Sequence, residues 1–374
     1  MTSKQNRIVR LSKSSLSNLE KSAVMNVLDK EYLGMGEEVR EFEELLTSFF
    51  GRPAVCVSSG TAALHLALQA LGLQDGDEVL VQSLTYVASY QAISATGAKP
   101  VACEVDIDTL CIDLKDAERR LTKNTKAIMP VHYSGGVGKL DQVYAFAAKH
   151  NLRVIEDAAH AFGTKYKNKK VGSFGDVTCF SFDGIKNITS GEGGCIVSNN
   201  QDLLNKIRDI RLLGVEKDTA NRYAGKRSWS FDVVSQGWRY HMSNIMASIG
   251  IQQLKRFDSF VKQRQVLAKK YDKLLSCHEN IKLLKHNYEN VVPHIYVVRI
   301  NDHIDRNKVV KSLNDRGIQT GMHYFPNHLL SYYSNGEKLQ KTEKIYQSLI
   351  SLPLHYDLLE SDVEFVCDEI LRLV

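Results

Sequence analysis

No stretch of the chain approaches the roughly 20 consecutive apolar residues of a membrane helix, so a membrane protein is not expected. The N-terminal MTSKQNRIVRLSKSSLSNLEK is basic but lacks an apolar core, which argues against a secretory signal. Neither sign of charge dominates: 48 Lys and Arg stand against 43 Asp and Glu, a net charge of +5. So mild a balance permits an acidic substrate and does not suggest nucleic acid as a partner. The seven cysteines are scattered, odd in number and without a CxxC or His-rich pair. Neither a disulfide framework nor a metal site is expected, and free thiols in a reducing, cytoplasmic compartment are. Internal repeats and low-complexity linkers are also missing.

What is present is ordinary for a globular protein: 43% apolar and 24% charged residues over 374 positions. This excludes a disordered tail, a collagen-like fibre and a disulfide-stapled scaffold. The length is ample for a full core and suggests two domains at roughly 150 residues each. TAALHLALQALGL (61–73) is apolar on most faces, as a buried helix would be. EVLVQ (78–82), PVACEV (100–105), KAIMPV (126–131) and LRVIED (152–157) read as strands, separated by helical stretches through Ala95, over 113–121 and over 140–150. Such alternation implies a mostly parallel sheet covered by helices, with its site beyond the carboxyl ends of the strands.

FGTKYKNKKVGSFGD then reads as a hairpin with KNKK at its tip, followed by strands VTCFSF (177–182) and GGCIVS (193–198). One long helical pattern runs from Ser243 to about Leu275 and leads into a smaller α/β domain. There the pattern gives a strand over 292–300, helices over 306–317 and 337–349, and a last helix from Ser361. The expected division is 1–247 for the large domain and 248–374 for the small one.

Three groups fall at strand ends. In SSGTAAL (58–64), Gly60 allows a tight turn and Thr61 begins a helix, so amides and hydroxyls there suit a phosphate, although plain capping is the commoner use. Asp157 ends an apolar strand, either as a turn residue or as a carboxylate held under a cationic ring nitrogen. Lys186 follows 29 residues later in FSFDGIKNITSGEGG. Its neighbours Phe180, Phe182 and Ile185 are apolar, a setting that lowers a lysine's pKa and frees its amine for Schiff-base chemistry. Phosphate cradle, carboxylate and lysine together fit pyridoxal phosphate, with Tyr86 of SLTYVAS as the candidate stacking ring.

VSSGTAALHLAL, SLTYVAS, VHYSGG, VIEDAAHAFG, FSFDGIKNITSGEGG and GWRYHMSNIMASIGIQQL resemble the DegT/StrS-type nucleotide-sugar aminotransferases, pyridoxal phosphate enzymes of fold type I. YLGMGEEVREFEE (32–44) and GMHYFPNH (321–328) extend the likeness over nearly the whole chain. The resemblance implies that Lys186 bonds the cofactor and moves the proton, that Asp157 pairs with the pyridine nitrogen, and that His160 sits near the phenolic oxygen. Gly60, Thr61 and Ser181 would contact the phosphate, and Tyr86 would stack on the ring. His323 and Tyr324 are implied on the substrate side; a diphosphate also needs cations, for which Arg222, Lys226 and Arg227 of NRYAGKRSWS are candidates, although solvated loop charges are commoner than ligands.

Relatives form homodimers with shared sites, and many read GYNYRM where this chain reads GWRYHM. The Asn that reaches the neighbour's phosphate is here Arg239, and the usual Arg is His241, whose role is open. The implied reaction is transfer of an amino group from L-glutamate to a nucleotide-diphosphate-linked ketosugar. C4 of a 4-keto-6-deoxy sugar is favoured over C3, and surface polysaccharide such as O-antigen lipopolysaccharide is the implied destination. Two other readings remain: a sugar dehydratase, against which Lys186 argues because such relatives carry His there, and a non-catalytic binding or regulatory protein on the same fold.

Overall fold

The computed structural model describes residues 8–226 and 229–374. Its main sheet has seven strands: β1 (Ala54–Val57), β2 (Glu78–Gln82), β3 (Lys99–Cys103), β4 (Thr125–Met129), β5 (Arg153–Asp157), β8 (Val177–Ser181) and β9 (Gly194–Val197). Between β5 and β8 lies a two-residue hairpin, β6 (Lys165–Tyr166) and β7 (Lys169–Lys170), which turns through Lys167 and Asn168 in left-handed conformation. The order across the sheet is β1-β9-β8-β5-β4-β2-β3. Only β9 runs against its neighbours, β1 and β8; the other pairings are parallel. The fold is thus a mostly parallel sheet covered by helices, as the alternating pattern requires.

Helices follow in chain order: α1 (Asn18–Asp29), α2 (Glu37–Phe50), α3 (Gly60–Ala70), α4 (Val87–Ser94), α5 (Leu114–Arg119), α6 (Leu140–Lys149), α7 (Gln201–Ile210) and α8 (Asp218–Tyr223). The apolar helix α3 is buried on nearly every face, between α4 and α7 and against β8 and β9. Its start is fixed by Ser59, whose hydroxyl accepts the Ala62 amide at 3.0 Å. Asp113 caps α5 in the same way, through the Lys115 amide.

The helical pattern from Ser243 divides into α9 (Asn244–Lys255) and α10 (Phe257–Leu275) at Arg256. α9 lies against α1 and α2, whereas α10 packs on β10 (Ile281–Leu283) and the last helix. β10 pairs antiparallel with β11 (Tyr296–Ile300), and β11 with β12 (Leu349–Leu352). α11 (Arg306–Asp315), α12 (Gln340–Ser348) and α13 (Glu360–Leu371) complete this part. Val9 joins its core and bridges Ile318, so the first described residues sit with the C-terminal sheet.

Two expected elements differ. The strand expected from 292 begins at Tyr296, because Pro293 has no amide to donate and the His294 amide bonds to Ser134 instead. The helix expected to reach 349 stops at Ser348, and the next four residues form β12. Among the described residues no helix is long and apolar enough to cross a membrane.

Candidate active site

The carboxyl ends of the parallel strands open onto a cavity of about 470 Å³. Nine residues singled out in the sequence line it: Gly60, Thr61, Tyr86, Asp157, His160, Ser181, Lys186, His323 and Tyr324. Asp157 ends β5 and is buried. Its Oδ2 accepts from Ser89 Oγ at 2.7 Å and its Oδ1 from the Ala159 amide at 3.2 Å, so both oxygens are held by donors. Ser89 is itself within 3.0 Å of Thr85 Oγ1. Neither hydroxyl was singled out in the sequence. Thr85 lies just before Tyr86, the N-cap of α4, and Ser89 lies in its first turn, so the start of the helix brings the two hydroxyls together.

The phosphate-cradle candidates meet by close approach. A Cβ on Gly60 would lie 2.7 Å from Ser181 Cβ, and one on Gly194 would lie 2.6 Å from the Phe180 carbonyl. Without side chains at these points, the start of α3 sits directly on the ends of β8 and β9. Ser59 caps the Ala62 amide, and the earlier amides of the first turn, those of Gly60 and Thr61, border the cavity.

Lys186 stands on the loop between β8 and β9. Burial lowers its amine to about 8 against the pull of Asp183 and Asp157, with Arg264 adding to the lowering. Its Nζ lies 3.4 Å from Nε2 of His294, which the sequence reading did not identify. His160 Nε2 meets the Tyr324 hydroxyl at 2.8 Å, and its buried Nδ1 has no partner. Burial, then Lys186 and His323, hold His160 well below ordinary imidazole basicity. His323, bonded to Ser351 Oγ at 2.7 Å, is lowered to about 4 by burial and Lys186. Tyr86 is 60% exposed at the cavity mouth, 5.6 Å from the Tyr324 ring.

Other expected residues lie elsewhere in the chain. Arg239 is exposed and bridges Leu212 by its backbone. Arg222 pairs with Asp218 at 2.7 Å within α8, and Lys226 is exposed. None of the three lines the cavity of its own chain. Arg227 lies outside the described residues. His241 bridges Val57, and burial with Arg239, Arg211 and Arg222 nearby lowers it to about 4.

The residues suit pyridoxal phosphate: an amine of lowered basicity, a fixed carboxylate, a helix start beside a hydroxyl, and a buried imidazole nitrogen awaiting a partner. Fold and site together define a class, the pyridoxal-phosphate-dependent aminotransferases. A model of the DegT/DnrJ/EryC1/StrS aminotransferase family matches residues 14–371, and the chain belongs to that family. It is 34% identical to the spore coat polysaccharide biosynthesis protein SpsC of Bacillus subtilis, covering 100% of this chain and 99% of that one. Among solved structures it resembles PseC of Helicobacter pylori, an aminotransferase involved in the biosynthesis of pseudoaminic acid, at 28% identity and a TM-score of 0.91 (98% and 99% covered). It also resembles the PMP-form of Spr1654 from Streptococcus pneumoniae, at 30% identity and a TM-score of 0.90 (98% of each chain). Spr1654 also occurs among the neighbours in a PLP-form.

Proposed function

We propose that the protein moves an amino group from L-glutamate to a nucleotide-diphosphate-linked ketosugar, at C4 of a 4-keto-6-deoxy ring. The product would be an aminosugar nucleotide for a surface polysaccharide, made in the cytoplasm. The observation that carries this reading is the enclosed Lys186 amine at about 8, facing the same cavity as the doubly held Asp157. SpsC is a spore coat polysaccharide biosynthesis protein and PseC is involved in the biosynthesis of pseudoaminic acid, which supports a sugar destined for a polymer or surface glycan.

When bound, pyridoxal phosphate supplies a carbonyl that takes up nitrogen and a ring that withdraws electrons. The protein's own residues do the rest. The Gly60 and Thr61 amides and the Ser181 hydroxyl hold the phosphate at the start of α3. Asp157, fixed by Ser89 and Ala159, keeps a proton on the ring nitrogen. Lys186 would hold the cofactor, and once the donor's amine displaces it, its free neutral amine would take a proton from the donor's carbon and later give one to the sugar's carbon. His160 would meet the phenolic oxygen, Tyr86 would cover the ring, and His323 and Tyr324 would close the substrate side.

A diphosphate needs cations, and the cavity of one chain is lined by Asp157, Asp183 and Glu192 against Lys186 as its only Lys or Arg among the described residues. This supports a homodimer in which Arg239 reaches the neighbouring phosphate and Arg222, Lys226 and Arg227 serve the nucleotide. We propose a large unit over 1–247 and a small one over 248–374 to frame each site. The test is stoichiometry. L-glutamate alone should yield no more than one 2-oxoglutarate per site, and steady turnover should need the nucleotide ketosugar. Continuous turnover without a sugar, or none with any, contradicts the proposal.

A further inference from the structure

His294 and Arg264 lie off the main cavity wall, yet both bear on Lys186. His294 is buried in the segment leading into β11, and its ring centre lies 4.5 Å from that of His160. Its Nε2 is 3.4 Å from Lys186 Nζ, and its Nδ1 has no partner. Burial, then Lys186, His160, Arg264 and His323, keep its basicity well below that of free imidazole. The neutral ring can accept a hydrogen bond from an amine.

Arg264, on α10, is also buried. From Nη1 it donates to the His294 carbonyl at 3.1 Å and to the carbonyls of Pro293 and Leu354 at 3.4 Å. Among the described residues no carboxylate pairs with it, although an uncompensated buried cation is costly in any fold. Its charge opposes a further cation on both Lys186 and His294.

We infer that His294 and Arg264 are positioning residues for Lys186: Arg264 pins the Pro293–His294 backbone, and the His294 imidazole receives the lysine amine whenever that amine is free. The inference rests on Lys186 being the reacting amine. Transamination frees this lysine for part of every cycle, and a flexible four-carbon side chain must then be kept where it can act as base. The groups facing it set its charge. Asp183 and Asp157 favour the cation, Arg264 opposes it, and His160, His323 and His294 are held neutral by burial.

The test uses the full chain. Borohydride reduction of the cofactor-loaded protein and peptide mass spectrometry identify the lysine that holds the cofactor. Capture on any lysine but Lys186 overturns this inference together with the reading beneath it. With cofactor removed, trace acetylation by acetic anhydride across a pH series reads the Lys186 amine without turnover. The wild-type midpoint should lie at about 8. Arg264→Met should raise it by about half a pH unit, and Arg264→Lys should leave it in place. His294→Phe should slow a single turnover with glutamate about tenfold at unchanged KM, and His294→Gln, which can again accept, should restore most of the rate. An unmoved midpoint in Arg264→Met with an unchanged rate in His294→Phe overturns the inference while leaving Lys186 as the reacting amine. Should Arg264→Met fail to fold, the His294→Phe and His294→Gln rates decide in the same sense.

Discussion

Replacing Asp157 by Asn keeps its shape and leaves Ser89 Oγ and the Ala159 amide in place, but removes the charge that would hold a proton on the cofactor ring. Turnover should fall about 100-fold or more, roughly 2.7 kcal/mol of barrier. A near-normal single-turnover rate in Asp157→Asn would remove this role. Lys186→Ala should abolish turnover while the cofactor still binds without a covalent bond. The pH dependence follows from the lowered amine. In the proposed role Lys186 would act as a base only when neutral, so the glutamate half-reaction should accelerate as pH rises through about 8 and level off above it. A rate that falls through this range contradicts the assignment. Lys186, Asp157 and Ser181 were legible because each lies at or just after a strand end in one stretch of chain. Ser89 and His294 were not, because they stand 68 and 108 residues from the groups they touch and only folding brings them there.

Elements carry the geometry that those residues need. Gly60→Ala would set a Cβ 2.7 Å from Ser181 Cβ and 3.3 Å from Ser181 Cα, so α3 or β8 must move. The expected cost is about 1–3 kcal/mol of stability, with weaker retention of the cofactor on dialysis. Unchanged melting and retention in Gly60→Ala would mean that the helix start does not depend on this contact. The parallel strands were readable from their apolar runs and following turns, and α3 from its all-round apolar surface. The break at Arg256 was not, since the periodic pattern continues through it. At the break Arg256 pairs with the distant Glu20 at 2.6 Å and lays its guanidinium over the Phe260 ring one turn on. β12 was hidden for a similar reason, because its LISL follows a helical repeat without an intervening turn and becomes a strand by pairing with β11.

At the scale of the molecule, an exposed apolar segment suits the proposed homodimer. Trp229 is 90% exposed, and Phe231 and Val234 are 60% and 63% exposed beside it in sequence. Arg239, also exposed, follows a few residues later, and the shared-site proposal turns on this residue. Neither Arg239→Ala nor Lys186→Ala should turn over well alone. After subunit exchange, mixed dimers should regain activity at about half of their sites, where Lys186 of one chain meets Arg239 of the other. Verified exchange without any gain would reject the shared site. The family was legible from motifs spread along the chain, whereas the partner-facing role proposed for Arg239 concerns a contact between chains that one chain does not contain.

The central claim, amino transfer to a sugar carbon, is most directly tested with nitrogen-15-labelled L-glutamate and a panel of dTDP-, UDP- and GDP-linked 3-keto and 4-keto sugars, with products read by mass and NMR. The label should appear on C4 of a 4-keto-6-deoxy nucleotide sugar and nowhere in the Lys186→Ala reaction. Label on C3 would move the site of amination. Label on no sugar, with the cofactor bound at Lys186, would contradict the claim.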